Sequence, residues 1–194
     1  TLPAILNPSN NLVINNSLST VKVILSNNLT IRGNFEIRSG TFQINDDAST
    51  TALDIDLLGD LEIGDEGRIR TGKGNAGGGH NLSIKGDFRN DGNVWFSNLG
   101  GPGYQSDPVN GFVHAIFDNA GVDQNIVCND TTRFYRIEIA KGTDKTYVLN
   151  IDASDIHYFK LLGNNFKTPD WYDAVSNDNA LGLESGTCRL GNNI

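Results

Sequence analysis

Between residues 29 and 44 the chain alternates apolar and polar side chains. Leu29, Ile31, Phe35 and Ile37 share one parity, and Phe42 and Ile44 take the other. Alternation with a period of two sends successive side chains to opposite faces of a strand, so this stretch predicts short strands that each bury one face. Two glycines punctuate it. Gly33 falls inside the apolar row where a side chain is due, and Gly40 marks the change of parity. A glycine in the inward row followed by Asn34 suits a corner where no side chain fits. The Ser39-Gly40 pair reads as a turn between two strands, after which the chain has bent around a core.

The arrangement recurs. "LTIRGNF" from Leu29, "IDLLGDL" from Ile55 and "LSIKGDF" from Leu82 share the order apolar, x, apolar, x, Gly, Asn or Asp, apolar. Their glycines, Gly33, Gly59 and Gly86, are spaced 59 − 33 = 26 and 86 − 59 = 27. A looser copy, "FKLLGNNF" from Phe159, places Gly163 close to three further periods along the chain, and Gly163 is read as a fourth corner glycine. After the corner, "SGTFQIN" is echoed by "EGRIRTG", by "DGNVWFS" and near the end by "SGTCRLGN", which sets Cys188 in the slot of Phe42.

A unit of ~26 residues cannot bury its apolar row alone, so copies must stack and cover one another. The prediction is an all-β fold: one parallel β-solenoid over residues 1–194, right-handed and β-helix-like, with about seven coils (194/26). An antiparallel β-sandwich is the alternative, since short alternating strands with frequent turns fit it too. A sandwich, however, has no reason to repeat a glycine at that period. Three stretches near 71–81, 98–111 and 167–180 break the pattern and read as loops between coils.

Composition agrees. The 22 glycines, with many asparagines and aspartates, supply tight turns, and 38% apolar against 20% charged residues describes a chain with a core. A formal net charge of −8 opposes binding to a phosphate backbone, so nucleic acid is not an expected partner. No apolar run approaches the ~20 residues of a membrane-spanning helix, and membrane insertion is not expected. Thr1 is preceded by neither Met nor a signal peptide, and "GTCRLGNNI" stops inside a strand-like pattern. Both read as a segment of a longer chain or a processed form.

The run of Gln124, Ile126, Phe134, Ile137 and Ile139, followed by "KTYVLNID", resembles segments that recur in large secreted surface proteins of Bacteroidota, and the "LTIRGNF…SGTFQIN" units resemble theirs as well. The resemblance implies a secreted, cell-surface location, export by the type IX secretion machinery, and service as an adhesin, stalk or scaffold. A C-terminal sorting domain of the kind such export uses is not present in the sequence. In that phylum Asp130, Thr131 and Thr132 match a short O-glycosylation signal, with Thr131 as the acceptor. Surface glycans or other cell-surface proteins are the implied partners.

Candidate chemistry is sparse. "GKGNAG" from Gly72 fits the dinucleotide-binding letters, but a strand pattern comes next where that motif needs a helix N-terminus. Cys128 and Cys188 read as free thiols packed in the core, with a disulfide as the alternative. His80, His114 and His157 stand near no nucleophile at a telling spacing. Outward columns Glu36, Glu62, Arg89 and Arg32, Leu58, Lys85 mix charges and read as a solvated face, although a polysaccharide-degrading β-helix enzyme would carry its carboxylates and cations on such a face. Asp170, Asp173 and Asp178, with Asn177, form a candidate calcium loop, and Asn45, Asp46 and Asp47 a second. Trp95 is turned outward by alternation between Val94 and Phe96, and with Tyr104, Trp171 and Tyr172 on loops it forms a candidate glycan-binding set. The expected function is a noncatalytic structural or adhesive module, with a carbohydrate-binding module as the first alternative.

Overall fold

A computed structural model describes residues 11–18, 21–72, 79–96, 111–162 and 180–194. These residues contain strands and no helix, and every strand pairing among them is parallel. The antiparallel sandwich is thereby excluded.

The strands lie on three faces, each visited once per turn of the chain. Face I is a six-stranded sheet: β3 (Leu29–Ile31), β5 (Asp54–Leu57), β7 (His80–Ile84), β10 (Val113–Phe117), β13 (Arg136–Ala140) and β16 (Leu181–Ser185). Face II holds β1 (Leu12–Asn15), the first halves of β4 (Phe35–Ile44) and β6 (Leu61–Thr71), then β8 (Phe88–Asn90), β11 (Gln124–Cys128), β14 (Val148–Ala153) and β17 (Thr187–Leu190). Face III holds β2 (Lys22–Leu25), the second halves of β4 and β6, then β9 (Asn93–Trp95), β12 (Thr132–Phe134) and β15 (Phe159–Leu161). Because β4 and β6 run unbroken through the bend, faces II and III form one 11-stranded sheet. Such curled parallel sheets are those of a solenoid-like stack.

Register gives the period directly. On face II the partners run Phe35, Leu61, Phe88, Ile126, Ile151 and Leu190, at intervals of 61 − 35 = 26, 88 − 61 = 27, 126 − 88 = 38, 151 − 126 = 25 and 190 − 151 = 39. The two long intervals contain 97–110 and 163–179, which take in most of two of the stretches that read as loops. The stretch 71–81 adds no length: Ile44 pairs Thr71 and Asp54 pairs Asn81, so the interval across it is the same short one, 71 − 44 = 27 and 81 − 54 = 27. Inward residues of successive rungs stack into one core containing Phe35, Phe42, Phe88, Phe96, Phe117 and Phe134, all buried, and Ile126, Ile137 and Ile139 are buried with them. Phe134 sits 5.4 Å from Phe88, 5.7 Å from Phe96 and 5.7 Å from Phe159 between ring centroids, so aromatic contact runs from rung to rung.

The corner glycines stack as the repeat requires. A Cβ on Gly59 would lie 2.6 Å from the backbone carbon and oxygen of Gly33, and one on Gly86 would lie 2.6 Å from the oxygen of Gly59. No side chain fits between rungs at this corner. Beside it runs a polar ladder: the Oδ1 atoms of Asn11, Asn34, Asp60 and Asp87 accept the backbone N–H of Asn34, Asp60, Asp87 and Asn125 at 2.9, 3.1, 2.8 and 2.8 Å. Asn150 Nδ2 extends it, donating to Asn125 Oδ1 at 3.1 Å. Each residue after the corner thus satisfies an N–H that the bend removes from the sheet.

Three expectations change. Gly163 lies outside the described residues, but the strand before it, β15, pairs with β12 on face III, whereas the strands before Gly33, Gly59 and Gly86 belong to face I. "FKLLGNNF" therefore falls at a different point of the turn. In the later rungs the corner slot passes to Gln124, Leu149 and Cys188. Cys188 pairs with Leu149 on face II, not with Phe42's row on face III, and is half-buried at the edge of the core. Ser39-Gly40 is no inter-strand turn: β4 is continuous there, with a register shift between Ile37 and Ser39 and Gly40 at φ 87°. The matched segments "EGRIRTG" and "DGNVWFS" do align, Gly67 beside Gly40 and Asn93 beside Arg68.

Candidate functional site

The outward row of face III gathers residues that lie far apart in sequence. Gln43, Arg70, Trp95, Arg133 and Lys160 succeed one another rung by rung, and Thr41, Arg68 and Asn93 form the column beside them. With Lys22 on β2, five cations stand on the outward positions of this face. Neither column contains a carboxylate, although the whole chain carries 23 acidic against 15 basic side chains.

The lower end of the row is knitted together. Gln43 is buried; its Oε1 accepts Lys22 Nζ at 2.9 Å and Arg70 Nη2 at 2.9 Å, and its Nε2 donates to Asp47 Oδ1 at 3.0 Å. Arg70 is thereby drawn toward Gln43, while one rung beyond Trp95 the guanidinium carbon of Arg133 lies 4.8 Å from the centre of the indole ring. That is a cation–π contact. Trp95 Nε1 and Arg133 Nε and Nη1 are shielded from solvent and have no hydrogen-bond partner among the described residues. A cleft of about 400 Å³ opens here, lined by Arg68, Arg70, Asn93 and Trp95 with Asp65 and Asp130 also on its wall. A second cleft of about 360 Å³ shares Asp65 and Arg68 and runs toward Asn16 and Thr41.

Other charged groups form local pairs. Glu36 binds Arg38 at 2.8 Å and Asp91 binds Arg89 at 2.7 Å, and these bonds hold both carboxyls below their ordinary range. Arg136 meets Glu138 at 3.1 Å, and Lys85 meets Asp118 at 2.6 Å. The outward column Glu36, Glu62, Arg89 stacks as the repeat demands.

Buried polar groups are structural. His80 is fully buried; its Nδ1 accepts the Leu53 N–H at 3.1 Å, and burial pushes its pKa down to about 4. Lys141 is buried, with Nζ donating to Gln124 Oε1 at 2.6 Å and to the Asn119 carbonyl at 3.0 Å, and burial lowers its pKa. Asn90 replaces an apolar residue in the inward row, donating to the Thr132 hydroxyl at 2.8 Å and accepting the Gly92 N–H at 2.9 Å. Cys128 and Cys188 are free, and burial pushes the Cys128 thiol up to about 11.

Of the residues singled out from sequence, Trp95 is half-buried on the outward side of β9. Tyr104, Trp171 and Tyr172, and the calcium candidates Asp170, Asp173 and Asp178, lie outside the described residues. In the second acidic cluster the side chains serve their own loop: Asn45 Oδ1 accepts the Asp46 N–H, Asp46 Oδ1 accepts the Ala48 N–H, and Asp47 pairs with Lys22 at 3.6 Å. Thr131 is half-buried at the turn entering β12, and the hydroxyl of neighbouring Thr132 is buried against Asn90. Of "GKGNAG", only Gly72 is described, and the next element among the described residues is strand β7.

The basic row itself is absent from the sequence reading, because Arg70, Trp95, Arg133 and Lys160 each stand a whole turn of chain from the next. The signal was present in the repeat: "GRIRT" and "GNVWF" occupy one slot, which already puts Arg70 beside Trp95.

No protein-family model, no curated protein and no solved structure matches the chain.

Proposed function

We propose that the chain is a right-handed parallel β-solenoid of about seven coils that serves as a noncatalytic structural and adhesive module of a secreted or cell-surface protein. The observation that carries the reading is the rung-to-rung bonding at the corner, where stacked glycines and the Asn/Asp ladder tie each turn to the next along the axis. Such a stack behaves as a quasi-one-dimensional rod whose side faces are free for contact. Right-handedness follows from the strong chiral preference of crossovers between parallel strands. The charge pairs on faces I and II link neighbours on one strand or adjacent loops, as on a solvated surface rather than in a catalytic groove.

A carbohydrate-binding role is the second reading, and the cleft bordered by Trp95, Arg68 and Arg70 favours it. The two readings and catalysis separate in one experiment. The purified chain is incubated with a panel of neutral and acidic polysaccharides, and both retention and new reducing ends are measured. Retention without cleavage is expected. Turnover of any polysaccharide, abolished by Asp65→Asn or Asp130→Asn, would remove the noncatalytic reading.

A further inference from the structure

The cleft on face III combines three things. Trp95 borders it with a ring packed by Arg133 on one side, while Arg70, the cation of the preceding rung, is held toward Gln43. Arg68 is exposed on the same wall, and the shielded N–H groups of Trp95 and Arg133 lack acceptors among the described residues. Exposed Arg68 on the wall, with the half-buried Arg133 guanidinium on the rung beside the cleft, favours a ligand that brings oxygen acceptors, above all charged ones. Asp65 and Asp130 sit at the same cleft, each accepting a backbone N–H at Oδ1, from Glu66 and Thr131, and offering its other oxygen to a further donor.

We propose that this face binds a linear acidic polysaccharide of uronate sugars, lying along the stacking axis across β6, β9 and β12. Trp95 stacks on an apolar sugar face from the side Arg133 does not cover. Arg68 and Arg133 pair with carboxylates, and Asp65 and Asp130 accept bonds from hydroxyls. Successive rungs are ~4.8 Å apart, so Arg70 and Arg133, two rungs apart, bracket roughly 10 Å, and Lys160 continues the row. A polymer with one carboxylate per sugar can set charges opposite Arg133 and Lys160 on successive rungs, with Trp95 on the rung before them. A DNA strand fits less well: its sugar–phosphate backbone has no donors for Asp65 and Asp130, and the chain's net charge of −8 opposes binding to any phosphate backbone. The proposal rests on the carbohydrate-binding reading and adds the ligand class.

The test is binding of the purified chain to polygalacturonate, to its fully methyl-esterified form, to a neutral glucan and to single-stranded DNA, by calorimetry at two salt concentrations. Polygalacturonate binding that weakens with salt is expected, reduced about tenfold or more by Trp95→Ala and several-fold by Arg68→Gln or Arg133→Gln. Arg89→Gln, on face II, should leave it unchanged. Thermal unfolding of each variant, with Trp95→Phe beside Trp95→Ala, separates lost binding from lost fold. Equal binding of the esterified form, or full binding by Arg68→Gln and Arg133→Gln, overturns the acidic class while leaving carbohydrate binding intact. Binding of no glycan overturns both. Tighter binding of single-stranded DNA overturns the proposal.

Discussion

Replacing Gly59 by alanine tests the stacking of turns at its tightest point. The added Cβ would lie 2.6 Å from the carbonyl carbon and oxygen of Gly33, and closer still to Asn34 Oδ1, where ordinary contact begins at 3.4 Å, a shortfall of 3.4 − 2.6 = 0.8 Å. Gly59 is not among the positive-φ glycines, so the backbone itself accepts alanine and the clash is isolated. Relief requires the two rungs to part locally. The bonds spanning that gap are Leu58 N–H to the Ile31 carbonyl at 2.9 Å, Phe35 N–H to the Asp60 carbonyl at 2.8 Å, and Asp60 N–H to Asn34 Oδ1 at 3.1 Å. A stretch of that size takes each beyond useful hydrogen-bonding distance. Three bonds at roughly 0.5–1.5 kcal/mol each give about 1.5–4.5 kcal/mol, less about 0.5 kcal/mol because alanine stiffens the unfolded chain. Gly59→Ala and Gly86→Ala should each lower stability by about 1–4 kcal/mol by this reckoning, read from urea midpoints by circular dichroism. Gly121→Ala is the control: its Cβ meets nothing nearer than Asn119 Oδ1 at 3.6 Å. If the corner variants fall within about 0.5 kcal/mol of wild type, the ordinary range of surface substitutions, the stacked-corner reasoning is wrong.

Two further outcomes follow from polar groups that bond between turns, His80 and Asp60. His80 has its folded pKa pushed down to about 4 from 6.5, so the unfolded chain takes up a proton that the folded one refuses; the associated stability is whole above about pH 6.5 and is lost as pH falls toward 4, about 3 kcal/mol in all. Its ring resonances should not titrate above pH 5, and a midpoint near 6.5 in the folded protein would contradict the burial. Asp60→Asn keeps an Oδ1 acceptor for the Asp87 N–H and should cost under about 1 kcal/mol, whereas Asp60→Leu strands that donor and the Asn34 amide and should cost about 1–3 kcal/mol. Equal losses in urea unfolding would show that the ladder bonds contribute nothing.

The corner was legible in the sequence because two consecutive turns have nearly equal length, so Gly33, Gly59 and Gly86 keep both spacing and neighbours. Once longer turns intervene, resemblance of letters no longer reports position, which is why "FKLLGNNF" and "SGTCRLGN" match units that lie on other faces. Alternation located the bend at Gly40 but hid the continuity of β4 through it, since a bulged strand and a broken one carry the same parity change. Inward Asn90 and Gln124 read as polar interruptions, and only their contacts reveal that they satisfy loop carbonyls or neighbouring turns. The basic row was invisible for a different reason: adjacency across rungs depends on register summed over every preceding turn.

The corner ladder also makes length a quantised property of this protein. Because Asn34, Asp60 and Asp87 present equivalent acceptors to equivalent N–H groups, removing residues 60–86 would join Gly59 to Asp87 and leave Asn34 facing Asp87 as it now faces Asp60. Whole turns can therefore be lost or duplicated with the corner ladder kept in step, whereas an indel of a few residues at the same place would shear the register of everything above it.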